Sequence, residues 1–484
     1  MSHSRRWRVA LALLVFTPFL AGCATNPVTG KSQLSLVTPA QELEIGKQGY
    51  GPVIAEYGLY DDAALSAFVN ATGQKVAHVS HLPDLEWHFT VLDDPTVNAF
   101  AMPGGYIYIT RGLLAYLNSE AQLAGVLGHE IGHVTYRHSA AQMTQQELFG
   151  AGLALGSIVS PTFQRYSGVA QQALGLLFLK YSRTDESQAD ELGVEYATKA
   201  GYDSRDIPAT YAMLKRIGAQ SGQSLPSFLE THPDPGQRET VTAELARTAT
   251  AGKTGLVIRH AEYLGHVNGI LFGQDPRQGY FDGDTYFHPT LAFQIRFPAG
   301  WSHQDTHAAV AAGAPNQAAV IQLSSASAPA TLAPEAFVAQ LQSNGSITSS
   351  RGARETIGGY SAWVGSLSLP ASNGQAASVL AAAFIRKGDI LFQILGRSQQ
   401  AGDANEQQIF TSMRSFRSLA DPARMNVTAD RVQVHPASAS DSFDNLMKRL
   451  GAVTADLETD AILNNFQVSD RVQAGTLLKV LVRG

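Results

Sequence analysis

At 484 residues the chain is longer than a single hydrophobic core ordinarily supports, which excludes a one-domain protein and predicts two or three folded units. A hydrophobic share of 44% beside 16% charged residues excludes a disordered or membrane-packed chain. The formal net charge of -6 argues against a phosphate-tracking surface, because nucleic-acid affinity rests on clustered Lys and Arg, so nucleic acid is excluded as a partner.

The chain opens with a positive stretch, Arg5, Arg6 and Arg8, followed by an apolar run from Val9 to Leu20 that is too short to span a bilayer comfortably. The run ends in Leu20-Ala21-Gly22-Cys23, which resembles the lipobox of bacterial lipoproteins. That resemblance implies a signal peptide over residues 1–22 and a lipid on Cys23, with the mature chain tethered in the bacterial cell envelope. Ala24 in place of Asp after the Cys implies the outer membrane, facing the periplasm. Cys23 is the only cysteine, so no disulfide can form within one chain.

Helical spacing runs from Glu42 to Val76 through Ile45, Val53, Leu65, Phe68 and Val69. From Trp87 to Leu92 the pattern alternates, with Trp87, Phe89 and Val91 on one face, as in a strand. A second strand, Tyr106 to Thr110, follows the turn Pro103-Gly104-Gly105. Ser119 with Gln122 three residues on makes a capping box that opens a helix reaching about Arg137. The apolar stretch Leu148 to Leu179, broken by Pro161 and Gly168, suggests a helical hairpin, and a further helix is predicted over Thr184 to Lys199. Thr248 to Thr254 reads as a linker. Beyond it Leu291–Phe297, Ala319–Leu323, Val379–Ile385 and Ile390–Leu395 read as strands.

The fold class is therefore α+β and multidomain. A mainly helical unit with a small sheet (23–255) precedes an α+β middle unit (260–420) and a small C-terminal module (430–484).

Inside the helix after Ser119 stands His129-Glu130-Ile131-Gly132-His133, an HExxH motif expected only ~0.02 times by chance in a chain of this composition. Four residues of helix turn through about 400°, so His129 and His133 project from one face and can reach one ion, for which two imidazoles suit zinc. Glu130 lies about 100° around the helix, placed to take a proton from water at the metal. A catalytic zinc needs a third protein ligand and an open position. Tyr136 and Ser139 occupy the places of the metzincin Gly and His, which excludes that class. A gluzincin takes its third ligand from a Glu-x-x-x-Asp on a second helix, the Asp holding a His ring from behind. Glu186 with Asp190 and Glu230 with Asp234 both have the spacing, but Pro233 and Pro235 disfavour a helix through the second pair.

Asn98-Ala99-Phe100, Pro103-Gly104-Gly105, the HEIGH motif and Ser182-Arg183-Thr184-Asp185-Glu186-Ser187-Gln188-Ala189-Asp190 together resemble the gluzincin metallopeptidases of the HtpX and BepA type. Asn26-Pro27-Val28-Thr29-Gly30 after the lipobox resembles the lipoprotein subgroup, and the likeness covers roughly residues 24 to 250. It implies one zinc per chain held by His129, His133 and Glu186, with Glu130 as base and Asp190 in support. His232-Pro233 occupies the place of a family His-Pro element that brings a removable fourth ligand to the metal, and Arg238 matches an Arg that follows it.

The expected activity is endopeptidase cleavage of unfolded or misassembled envelope proteins. The alternative is a chaperone or assembly scaffold for outer-membrane proteins that cuts little. Phe293 to Phe297 with Pro298-Ala299-Gly300-Trp301 resembles a PsbP-like fold. The tail from Asp441 through Leu446, Asn464, Val472 and Gly475 to Val480 is similar to a lysin motif, which implies peptidoglycan as a partner, with a βα protein-contact module as the alternative.

Overall fold

The computed structural model describes residues 23–149, 175, 180–220, 228, 232, 235–371, 377–453 and 456–484. Residues 1–22, nearly all of the apolar stretch Leu148–Leu179, and the alternative pair Glu230/Asp234 lie outside them. The chain is α+β and multidomain. Among the described residues no helix is long and apolar enough to cross a membrane.

A short hairpin, β1 (Cys23–Thr25) against β2 (Ser32–Leu34), begins the fold. Helix α1 (Pro39–Tyr57) starts at a reciprocal capping box between Thr38 and Gln41 with Pro39 at its first position. Helix α2 (Ala63–Ala77) starts at Asp62, whose side chain accepts from the Leu65 amide. The helical spacing over 42–76 is thus carried by two helices. A three-stranded sheet follows, β3 (His88–Leu92), β4 (Ala99–Met102) and β5 (Tyr106–Thr110), in the order β3-β5-β4 with β4 antiparallel to β5 at one edge. Alternation on β3 has its expected result, since Trp87, Phe89 and Val91 enter the main core while His88 and Thr90 are only half-buried.

Helix α3 (Arg111–Tyr116) leads into α4 (Glu120–Thr135), which is buried along its whole length and is capped where Ser119 Oγ accepts from the Gln122 amide. Helices α5 (His138–Phe149), α6 (Arg183–Lys199), α7 (Pro208–Gln220) and α8 (Pro235–Thr250) complete this layer. Helix α6 crosses α4 closely because glycine faces glycine. A Cβ on Gly128 would stand 3.1 Å from the Gly193 carbonyl oxygen, and one on Gly193 would stand 3.1 Å from the His129 amide nitrogen. Any side chain there would push α6 outward and carry its acidic residues away from α4.

Packing of this unit continues past the Thr248–Thr254 stretch. Helix α9 (His260–Val267) places Tyr263, Leu264 and Val267 in the same core, and Tyr263 Oη donates to the Leu114 carbonyl at 2.7 Å. The middle unit then begins. Its seven-stranded antiparallel sheet runs in the order 349–357, 360–369, 378–387, 390–398, 319–326, 309–313, 302–305, beside a four-stranded sheet built on Phe293–Arg296. Strand Ser378–Lys387 is covered on both faces: Ala381, Ala383 and Ile385 enter one core, Ala382 and Phe384 another. This is why its sequence reads as a continuous apolar run.

The chain returns at strand Asp430–Pro436, which pairs antiparallel with Leu477–Arg483 around two short helices, Phe443–Leu450 and Leu457–Leu463. Phe443, Leu446, Met447, Leu478 and Val480 form a core of their own, whereas Val432, Ile462, Leu463 and Leu481 join the core of the first unit. Lys479, with no exposed surface, donates from Nζ to the carbonyl oxygens of Ala115 (2.7 Å), Tyr116 (3.1 Å) and Leu117 (2.9 Å) at the end of α3. Burial pushes the Lys479 amine well below its ordinary range, while the unsatisfied carbonyls and the negative end of the dipole at a helix C-terminus act the other way. The other end of α3 is held as well: Arg111 pairs with Asp93 at 2.6 Å and donates to the Leu271 and Gly273 carbonyls. Entry and exit of the middle unit are laced together, Gly269 and Phe272 amides donating to the Val432 and Asp430 carbonyls.

Candidate metal centre

Helix α4 presents His129 and His133 from one face, with their Nε2 atoms 3.0 Å apart. The close crossing of α6 brings Glu186 to them, its oxygens 3.7 Å from His129 Nε2 and 3.6 Å from His133 Nε2. His232 completes the group, its Nδ1 standing 2.8 Å from Glu186 Oε1. Ligand atoms of these four residues lie within 4.8 Å of one another. Asp190, one turn beyond Glu186, receives a hydrogen bond from His129 Nδ1 at 2.9 Å and so directs His129 Nε2 toward the group. Glu130 points to the same place without joining the donor set, 3.8 Å from His232 Nε2, and neither of its oxygens makes a hydrogen bond. Cys23 lies far along the chain in the first hairpin, its backbone paired with Leu34.

All of these side chains are buried. His129 is 3% exposed, Glu130 0%, His133 1%, Glu186 2% and His232 1%. Burial raises the Glu130 carboxyl above its ordinary range, partly offset by the His232 and His129 rings. It lowers His133 well below the usual imidazole value, and the neighbouring His129 and His138 rings push the same way. Burial would also lower His232 and raise Glu186, but their mutual charge and hydrogen bond, joined at Glu186 by the charge of Arg238, reverse both shifts. Burial alone would raise Asp190 too, yet the charge and hydrogen bonds of Arg238 hold its carboxyl well below the usual range.

Two imidazoles, a carboxylate and a third imidazole converging in a buried pocket fit a transition-metal ion, with nitrogen and oxygen donors of the kind zinc takes. The unpaired, buried oxygens of Glu130 support the fit, since such atoms are costly unless a further species meets them.

Three further groups support the site. Arg238, which the family likeness marks by position alone, forms ion pairs with Glu186 Oε2 and Asp190 Oδ1, both at 2.6 Å, and lies over the Tyr211 ring. Tyr211 Oη donates to Asp190 at 2.6 Å. Tyr181 stacks on the His133 ring with centroids 3.8 Å apart. Each partner is distant in sequence, so no local pattern marks them.

Residues 64–244 match the model of Peptidase family M48. The chain is 35% identical over 190 residues to the mitochondrial metalloendopeptidase OMA1 of Arabidopsis thaliana, covering 37% of this chain and 38% of that protein. It is 29% identical over 229 residues to the beta-barrel assembly-enhancing protease of Escherichia coli K12, covering 46% and 47%. With the putative beta-barrel assembly-enhancing protease of Vibrio cholerae it shares 30% identity over 253 residues, covering 50% and 52%. The matched part thus spans about half of these relatives or less. The segment 64–244, whose two central helices carry the convergent His and Glu side chains, is thus similar to peptidase family M48.

Proposed function

We propose that the protein is a zinc-dependent endopeptidase that cleaves unfolded or misassembled proteins of the bacterial envelope. The observation that carries this reading is the convergence of His129, His133 and Glu186 beside an unpaired Glu130. Zinc, when bound, supplies a Lewis acid that makes water nucleophilic near neutral pH and polarises a peptide carbonyl. Glu130 accepts the proton of the attacking water and delivers it to the leaving amine, and its raised proton affinity suits both transfers. Asp190 and Arg238 keep His129 and Glu186 in place throughout. A substrate strand adds along β4, the last strand of the sheet among the described residues, where backbone pairing takes extended peptides with little regard to sequence.

His232 serves as a removable fourth ligand. With every donor side chain at most 3% exposed, a peptide reaches the centre only after His232 withdraws. His232→Ala is therefore expected to raise kcat/KM on an unfolded substrate, by about 10-fold if the open form is populated at ~10%. An unchanged or lower rate in zinc-loaded His232→Ala rejects the gate.

The lipid on Cys23 places the enzyme at the outer membrane facing the periplasm, and the C-terminal module adds a contact with peptidoglycan. The scaffold reading is favoured by one observation, the closed centre, and rescue of a deletion strain by Glu130→Gln would select it. The reading as a whole is tested by measuring zinc content and digestion of an unfolded protein in one preparation. One zinc per chain is expected, with cleavage lost to a chelator and regained with zinc. Cleavage that survives complete metal removal overturns it.

A further inference from the structure

The two imidazole ligands of α4 are supported differently. His129 has a carboxylate behind it, Asp190. Behind His133 stands another imidazole: His133 Nδ1 is 2.9 Å from His138 Nδ1. On its far side His138 Nε2 is 3.0 Å from Gln188 Oε1 and 3.6 Å from Asp185 Oδ1. His138 reaches this position through a sharp reversal. Helix α4 ends at Thr135, and Arg137 adopts a left-handed backbone with φ of 62°. Its guanidinium holds that turn by bonding Glu42 and the Val37 carbonyl at 2.9 Å.

We propose that His138 is a positioning residue that fixes the tautomer of His133 and thereby aims His133 Nε2 at the metal. A hydrogen bond between two ring nitrogens needs one donor and one bare acceptor. His133 Nε2 faces His129 Nε2 and Glu186, so it ligates only as a lone pair, and its proton must then sit on Nδ1. His138 Nδ1 is consequently the acceptor, and the His138 proton sits on Nε2. That arrangement suits what lies beyond it, because Asp185 is an acceptor and nothing else. The chain of donation runs from His133 to His138 to Gln188 and Asp185, two residues of α6 that flank the ligand Glu186. One element thus supplies the third ligand and fixes the orientation of the second. A ring against a ring also fits the space: Tyr136 stacks on His138 at 5.2 Å and 5°, which keeps the imidazole plane fixed.

The inference rests on the metal reading of the site, and the test separates the two. Zinc affinity of the full chain is measured by chelator competition for the unaltered protein, His138→Phe and His138→Gln, with thermal unfolding of each metal-free chain alongside. Loss of an outer partner to a ligating His ordinarily costs 10- to 100-fold in metal affinity, and a loss in that range is expected for His138→Phe. The Phe ring preserves the stacking, so metal-free stability should change little. His138→Gln, which offers an amide oxygen to His133 Nδ1, should recover part of the affinity. Nitrogen-15 spectra of histidine-labelled, unaltered chain should show His133 protonated at Nδ1 and His138 at Nε2. Zinc binding by His138→Phe within twofold of the unaltered chain overturns the proposal, as does a proton on His138 Nδ1. Failure of the unaltered chain to bind zinc overturns the metal reading instead.

Discussion

Glu130→Gln is expected to keep its zinc and lower kcat/KM on an unfolded substrate by roughly 100- to 10,000-fold, the range over which a positioned general base contributes. The substitution is nearly isosteric. It removes the one property the proposed reaction needs, an oxygen that accepts and returns a proton. Metal content should persist because the group that gathers ligand atoms is His129, His133, Glu186 and His232, without Glu130. Folding should persist too, since neither Glu130 oxygen holds a hydrogen bond and the carboxyl is already pushed toward its neutral form by burial. Paired zinc analysis and peptide-release rates check this. Undiminished cleavage by zinc-loaded Glu130→Gln would reject the mechanism, while loss of zinc would show the residue to be a ligand.

The largest expected loss of stability follows from Arg238→Ala. Arg238 is 6% exposed, and its guanidinium pairs with two carboxylates at once, Glu186 and Asp190, with Tyr211 beneath it. Removing it leaves two buried acids near each other without the guanidinium between them, Glu186 keeping only His232 and Asp190 only His129 and Tyr211. Breaking a buried pair in this way costs about 3–5 kcal/mol. Denaturant unfolding of the metal-free chain measures it, and saturating zinc should return part of the loss by binding Glu186 in the folded state alone. Arg238→Lys should not rescue, because a point charge cannot bridge two carboxylates as a planar fork does. A loss below about 1 kcal/mol in the metal-free chain would mean that Arg238 is not what holds the two acids.

Sequence carried the parts of this site that lie within one helix or one cap. Ser119 marks the start of α4, and the His129–His133 spacing survives any detail of packing because helix geometry alone enforces it. Choosing Glu186 required a second step, the effect of prolines around Glu230. His138 escaped because its approach to His133 depends on the left-handed turn at Arg137, and Arg is an unusual residue for that conformation. Lys479 escaped for a different reason: it is a cation within an apolar strand, and its acceptors at Ala115 to Leu117 lie more than 360 positions away. In the middle unit strand positions were legible from turn residues, but the division into two cores was not, since both faces of Ser378–Lys387 are equally apolar.

The lacing of residues 269–272 to 430–432 makes the middle unit a guest within its host. Both ends of that guest leave from one narrow stem, directly beside the residues that clasp α3. Replacing the segment with a short loop would leave the host's hydrophobic interior uncut, whereas trimming the last strand would pull Lys479 off α3 and open the catalytic body from a site that looks, along the chain, like its most expendable end.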